Sequence, residues 1–414
     1  DLVRSRGLGD VYKRQLFYIE HLDRELDTVN KIISGLNLSP SDYAIASTNF
    51  SMGLSKFMYS PEVVVSPWCY TDFCYHKLLS FPFKKQIKFL NLHHEQITNN
   101  DRLKALLPRG KAIKHSHISW GSWFERQLIE SGVKTSDIYV TGSIRVSGNE
   151  VSPLNKKNVA RDIFGDERLA RYRWAMFLSS FSWKDLPERI LRNIEKRGRK
   201  NVQEYKELVS ESYQTFLRWL DNFLIKNPNT VYIYKLHPSE NIDQGLEKLQ
   251  SKNSNFFVVD SFSVKSWGAV VDWFDVWIST SIGEVADLGI PFRIVRPLTL
   301  PKSSDIIGFD IFEKISSVSE FVTLDNIHKN QAIVNEYQKM YYESRANPVD
   351  LTLKAFSDIL SSRPERIEIS FLKRVFYSFL ESAKDILKIL LVKFNLLNFS
   401  NYSRIGKSFF IIKK

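Results

Sequence analysis

The stretch NLHHEQITNN, residues 91–100, sets His93, His94, Glu95 and Gln96 directly behind the apolar run IKFL. Imidazole and carboxylate side by side suit general acid–base work, because one titrates near neutrality and the other is anionic there. The bland alternative is a polar turn after a strand. Three further polar clusters follow apolar runs in the same way: Glu20-His21, GSIR at 142–145, and KLHPSE at 235–240. In the last, Lys235 offers a fixed charge and His237 a hydrogen-bond donor for phosphate, with Ser239 and Glu240 beyond Pro238. A loop histidine with no ligand is the competing reading. In STSIGEVADLGIP, residues 279–291, the hydroxyls of Ser279, Thr280 and Ser281 precede a helix with Gly283 and Glu284 in its first turn. The free N–H groups there suit an anion, and Glu284 could take ribose hydroxyls. Ser281 and Glu284 also spell a capping box. Gly142 and Ser143 permit close backbone approach, and Arg145 could pair with phosphate or carboxylate; a plain glycine turn is the alternative.

Metal chemistry is not expected. His115 and His117 share one face at strand spacing, but no carboxylate stands at a ligand-like offset. Cys69 and Cys74 make neither a disulfide framework nor a four-ligand site, and read as reduced packing thiols.

The elements that position these residues alternate. LFYIE, DYAIAS, EVVVS, QIKFLNL, KAIKHSHISW and DIYVTGS read as strands, with DRELDTVNKIISGL and GSWFERQLIESGV as helices between them. The polar stretch 147–172 reads as a connection. A second series follows: strands WAMFLSSF, TVYIYKLHP, NFFVVD, DVWIS and FRIVRP, with helices VQEYKELVSESYQTFLRWLDNFLIKN, VKSWGAVVDWF and SIGEVADLG. Strand–helix alternation with β-branched strands implies doubly wound parallel sheets. The expected fold class is α/β: two Rossmann-like domains, 16–150 and 173–345, facing across a cleft, with a helical tail at 364–414. Residues 1–15, DLVRSRGLGDVYKRQ, read as a non-native, adapter-derived segment and are set aside. In open α/β sheets ligands bind outside the carboxyl ends of strands, where all five clusters fall.

Length and charge agree with this. The 414 residues exceed one ordinary core, and the composition, 43% hydrophobic and 25% charged, is that of a folded globular chain. The net charge of +12 is uneven, with eleven Lys/Arg against four Asp/Glu in residues 363–414. No run is apolar enough to span a membrane, and the thiols suit a cytoplasmic setting. Behind Pro364, residues Leu372, Phe376, Phe379, Ala383, Ile386, Leu390, Phe394 and Leu397 form a stripe at steps of three and four. A basic amphipathic helix over 371–399 suits an anionic membrane surface; packing on the protein body or on a second subunit is the alternative. No nucleic-acid recognition module is present.

LFYIEHLDRELD, LHHEQ, IYVTGSIR, MFLSSFSW, KLHPSE and STSIGEVADLGIP, in this order over residues 16–345, resemble bacterial surface-carbohydrate and capsule biosynthesis glycosyltransferases of the GT-B type. In pattern these are related to capsule Kdo transferases and CDP-glycerol glycerophosphotransferases. The resemblance implies that the C-terminal domain grips an activated donor through His237-Pro238 and residues 279–281, with Glu284 on the nucleoside. It also implies that the N-terminal domain takes the acceptor, with His94 and Glu95 at the reaction centre. Two departures stand: SIR replaces NPR after the TG pair, and Lys235 replaces an arginine, so the donor stays open. The expected function is transfer of a sugar from a nucleotide-sugar donor to a surface-polysaccharide or lipid-linked acceptor. Glu95, His94 or Glu20 would be the base, and Lys235 and His237 would hold the leaving phosphate without metal or cofactor. A nucleotide-sugar epimerase and a non-catalytic scaffold binding membrane or glycan are the alternatives. The expected location is cytoplasmic, peripheral at the inner face of the membrane.

Overall fold

The structure is a computed structural model that describes residues 15–20, 22–145, 154–196, 201–237, 239–342 and 347–393. The strands are β1 Gln15–Ile19, β2 Tyr43–Ser47, β3 Val63–Ser66, β4 Gln86–Asn91, β5 Ser116–Ser119, β6 Ile138–Val140 and β7 Arg173–Leu178. They continue as β8 Thr230–Lys235, β9 Phe256–Val259, β10 Trp273–Val276, β11 Phe292–Val295, β12 Lys314–Ile315 and β13 Glu365–Arg366. The helices run α1 Leu22–Gly35, α2 Met52–Met58, α3 Asp72–Leu79, α4 Asn100–Leu106, α5 Ser122–Glu130, α6 Lys156–Asp162, α7 Glu188–Lys196 and α8 Val202–Lys226. After them come α9 Gln244–Lys252, α10 Val264–Gly268, α11 Ile282–Asp287, α12 Val318–Val322, α13 Val334–Tyr341, α14 Pro348–Ser361 and α15 Phe371–Lys393.

The chain forms two compact units, one of residues up to 96, 104–147 and 339 onward, the other of 97–103 and 148–338. The first unit holds a parallel sheet in the order β2-β1-β3-β4-β5-β6, with β13 added antiparallel to the start of β4. The second holds a parallel sheet in the order β9-β8-β7-β10-β11-β12. Counted from its own first strand, that order is 3-2-1-4-5-6, so the winding reverses between β7 and β10. In the first unit it reverses between β1 and β3.

Parallel strands covered by helices on both faces must be apolar on both faces, which explains runs such as VVVS in β3, buried throughout. In the second unit α8 lays Val209, Tyr213, Phe216, Leu220 and Phe223, at steps of three and four, onto β7 and β8. Phe216 stacks on Phe177 at 4.1 Å between centroids. Each such side chain stabilises the unit by about 2 kcal/mol through apolar burial. Beneath them a buried bidentate pair joins neighbouring strands: Arg293 Nε donates to Asp275 Oδ1 at 2.7 Å and its Nη2 to Oδ2 at 2.8 Å. Tyr232 donates to the same carboxylate at 2.7 Å. Arg293 Nη1 reaches the Phe321 and Thr323 carbonyls at 3.0 and 3.1 Å, so the pair also holds the end of α12.

Several elements differ from the sequence reading. β1 begins at Gln15, a buried residue paired with Tyr43 and Val63. The stretch read as a polar connection carries α6, capped by the Asn155 side chain, and a 3-10 turn over Glu167–Arg171. Its described charged residues are exposed or half-buried, whereas Val159, Ala160 and Leu169 are buried. The helix expected over 264–274 stops at Gly268, and β10 starts at Trp273, because the β-branched and aromatic run VVDWFDV suits a strand. β5 covers only Ser116–Ser119, so His115 precedes it.

Candidate functional site

In the second unit the sheet delivers polar groups to the carboxyl ends of β7 and β10, which flank its reversal, and of β8 beside β7. β7 ends at Leu178, and Ser179 continues the ladder by donating its N–H to the Lys235 carbonyl at 3.1 Å. The Ser179 hydroxyl lies 2.7 Å from the Tyr234 hydroxyl and donates to Glu240. Tyr234 donates to the other oxygen of Glu240 at 2.6 Å, and the His237 N–H reaches the carboxylate at 3.3 Å. Glu240 is buried, which pushes its carboxyl above the usual range against the pull of Ser179, Tyr234, His237 and Lys184. This network fixes the turn after β8, whose Glu240 N–H also donates to the His237 carbonyl at 2.8 Å.

The turn sets the state of His237. Its Nδ1 accepts from the Ser239 N–H at 3.1 Å, so the neutral ring carries its proton on Nε2, a donor suited to phosphate oxygen. Lys235 donates from Nζ to the Ser261 carbonyl at 3.3 Å. Pro238 lies outside the described residues. Beside the network, Lys184 bridges Asp185 and Asp243 at 2.7 and 2.9 Å, and Tyr213 donates to Asp243 at 2.7 Å.

Next to β7 in the sheet, β10 leads into Ser279, Thr280 and Ser281, all half-buried. The Ser281 N–H donates to the Ser279 hydroxyl at 3.3 Å, which turns the chain into α11. The capping box read from S-x-x-E is not formed: Ser281 makes no side-chain cap, and its backbone is already helical. Glu284 is buried within α11.

In the first unit the cluster that follows β4 divides. His93 and Gln96 belong to the fold. Gln96 donates to the Ile118 carbonyl at 3.1 Å and accepts from the Trp120 N–H at 2.8 Å, which locks the exit of β5 to that of β4. His93, at φ +45°, places Nε2 2.8 Å from Nδ1 of His117, both rings buried. Burial drives the His93 ring well below its ordinary range and takes His117 down to about 3, each also disfavoured by a neighbouring histidine. His94 is buried and donates its N–H to the Pro67 carbonyl at 3.1 Å; Glu95 is half-buried. Glu20 follows β1, its N–H donating to Glu25 at 2.6 Å; His21 lies outside the described residues. β3 separates β1 from β4, so the strands that lead into Glu20 and His94 run about 10 Å apart at ordinary strand spacing. Past β6, Gly142 adopts φ +76°, a conformation that favours glycine, and Ser143 is buried while Arg145 is half-buried.

His115 and His117 do not act together. His115 stacks on Tyr75 at 5.3 Å and meets Phe89 edge-on, within 2.9 Å of Glu365. Cys69 is buried, which pushes its thiol up, and Cys74 accepts from the Thr71 hydroxyl that caps α3. Among the described residues no three His, Cys, Asp or Glu side chains are grouped to hold a metal.

Ser179, within MFLSSFSW, and Tyr234, Lys184 and Asp243 have no role assigned by the sequence reading. The hydroxyl pair that ends MFLSS was the only local sign of Ser179; Tyr234 reads as one more apolar strand residue until its hydroxyl finds Glu240.

No family model matches the chain, and no curated protein matches it. Solved structures do. MnaA of S. aureus in complex with UDP is 8% identical over 86% of this chain and 99% of its own, with a TM-score of 0.51. The wall teichoic acid polymerase TagF is 11% identical over 85% of this chain and 91% of its own, at 0.48. UDP-GlcNAc 2-epimerase from Neisseria meningitidis bound to UDP-GlcNAc is 11% identical over 84% and 100%, at 0.46. At such identities the likeness is one of fold: two successive α/β units with parallel sheets, as in GT-B-like proteins.

Proposed function

We propose that the chain is a glycosyltransferase that moves a sugar from a nucleotide-activated donor to a surface-polysaccharide or lipid-linked acceptor. The observation that carries this reading is the set of polar groups at the carboxyl ends of β10, β7 and the adjacent β8, around the reversal where a 3-2-1-4-5-6 sheet binds nucleotides. His237, through Nε2–H, together with Lys235 and the hydroxyls of Ser279, Thr280 and Ser281, would hold the donor phosphates. Ser239 sets the His237 tautomer. Glu240 positions that turn and is not itself a phosphate ligand. Glu284, being buried, would reach a ribose only from inside the turn. The fold-mate MnaA was solved with UDP, which supports a nucleoside diphosphate as the bound half of the donor.

In the first unit Glu95 or His94 would take the proton of the acceptor hydroxyl, with Glu20 the remaining carboxylate, and Gly142, Ser143 and Arg145 would bind a phosphate or acceptor carboxylate. Stabilising the leaving phosphate by fixed donors lowers the barrier without any change of protonation in the second unit.

The test is thermal stabilisation by UDP, CDP, CMP and GDP, followed by turnover of the matching nucleotide-sugars. At least one nucleotide should raise the melting temperature of the parent and not of His237→Ala. His94→Ala combined with Glu95→Ala should keep that stabilisation yet lower turnover by about a hundredfold or more. Conversion of donor alone would reassign the chain to epimerisation. The absence of stabilisation by every nucleotide would remove the reading.

A further inference from the structure

We infer that the outward face of α15 is a docking surface for a lipid bilayer bearing anionic headgroups. The inference concerns the first unit and does not depend on the proposed reaction. A helix on a protein surface ordinarily turns its apolar stripe inward, and α15 does the reverse. Arg374, Ser378, Glu381, Ser382 and Asp385 are buried against the body. Leu372 is 78% exposed, Phe379 68%, Phe376 62% and Leu387 57%, with Ile386 and Leu390 close behind. The helices beneath it, α2 and α3, add exposed Phe57 and Phe73.

Bonding fixes this orientation. Asp385 accepts from the Gly53 N–H at 2.7 Å and the Leu54 N–H at 3.3 Å, satisfying the start of α2. Ser378 donates to the Ser80 carbonyl, and Lys388 donates to the Asn49 carbonyl at 2.7 Å. Rolling α15 over to hide its apolar stripe would break all of these and bury the lysines instead.

Charge selects the occupant. Both acids of α15, Glu381 and Asp385, face inward, whereas Lys373, Lys384 and Lys393 are exposed, Lys384 reaching back to Glu381 at 2.9 Å. The outer face of α15 is thus apolar and cationic, without an exposed carboxylate of its own, although Asp72 of α3 is exposed. A second copy would bring lysines against lysines, which disfavours self-association. Bulky apolar groups flanked by lysines suit the boundary between headgroups and acyl chains. No helix among the described residues is long and apolar enough to cross a membrane, so contact of this kind would be along the surface.

The experiment is co-sedimentation of the full chain with phosphatidylcholine vesicles, with and without phosphatidylglycerol. At low ionic strength the anionic vesicles should bind roughly twenty-five-fold more tightly, about fivefold for each of the two lysines, Lys373 and Lys393, that are not bridged to Glu381. The combined variant Leu372→Ser, Phe376→Ser and Phe379→Ser should lose binding. Because these side chains are exposed, its melting temperature and any nucleotide stabilisation should match the parent. That separates this inference from the proposed function, which is read in the other unit. Failure of the parent to sediment with anionic vesicles, or equal sedimentation of the variant, would overturn the inference. So would a dimer in sedimentation velocity that the variant abolishes without any vesicle binding.

Discussion

His93 and His117 occupy a part of the first unit where a charge has no place to go. Both rings are buried and share one hydrogen bond, so the folded pair stays neutral well below the pH at which free imidazole protonates. The unfolded chain protonates both near their ordinary value of 6.5, whereas folded His117 waits until about 3. In that window the unfolded state binds more protons, so stability falls as pH falls and is fully present above it. Between about pH 7 and about pH 5 the loss from His117 alone is about 2 kcal/mol. Urea unfolding followed by near-ultraviolet dichroism should show the midpoint dropping across that range, with a shallower drop in His117→Asn. Equal slopes would mean that other groups carry the acid sensitivity. The residue scale is also where sequence reading was least able to assign roles. Four adjacent polar side chains looked equivalent in HHEQ, yet partners 22–24 residues away, at His117, Ile118 and Trp120, take His93 and Gln96 into the fold.

At the scale of elements, α2 and α15 approach so closely that only glycine fits between them. A Cβ on Gly53 would meet the Ser382 nitrogen at 2.2 Å and the Glu381 carbonyl carbon at 2.3 Å. Both are backbone atoms, so the helices must separate, and Gly53→Ala should cost about 3 kcal/mol. Asp385→Ala removes the acceptor for two N–H groups of α2 and should cost about 1 kcal/mol. Thermal melts of the two variants check the order; equal, negligible effects would mean that α15 is held elsewhere. The 3-4 stripe of α15 was legible because periodicity is a local property. Which face turns inward was not, because that is decided by acceptors at Asn49 and Ser80 and by the start of α2, all some 300 residues earlier. α11 shows the same limit. S-x-x-E predicts a box, but Ser279 takes the Ser281 N–H and Glu284 is drawn into the interior.

At the scale of the whole chain, two parallel sheets with different windings give the units different chemical equipment. The second places hydroxyls, an imidazole and an ammonium at the ends of β7, β8 and β10; the first places buried histidines and half-buried carboxylates at its strand ends. Under the proposed function, nucleotide alone should slow amide hydrogen exchange at Ser179, Lys235 to His237 and residues 279–284, and leave residues 92–96 unchanged. Mass-spectrometric exchange with and without UDP or CDP reads this directly. Protection confined to the first unit would contradict the assignment of the donor to the second.

Strand–helix alternation, the two-unit α/β plan and the clusters behind β1, β4, β6, β8 and β10 were fixed by the chain's own pattern, since apolar runs and the turns that end them are encoded by neighbouring residues. Strand order was not, because which parallel strands lie side by side depends on crossovers that bury the most apolar surface across the unit. The order β9-β8-β7-β10-β11-β12 is what brings Ser179 and residues 279–281 to neighbouring strand ends. It also puts Asp275 opposite Arg293, an ion pair that no spacing in the sequence announces. Tertiary structure likewise decided which polar residues are spent on holding strands and helices in register and which stay at the strand ends for chemistry, since a buried hydrogen-bonding group must find a partner wherever in the chain that partner lies.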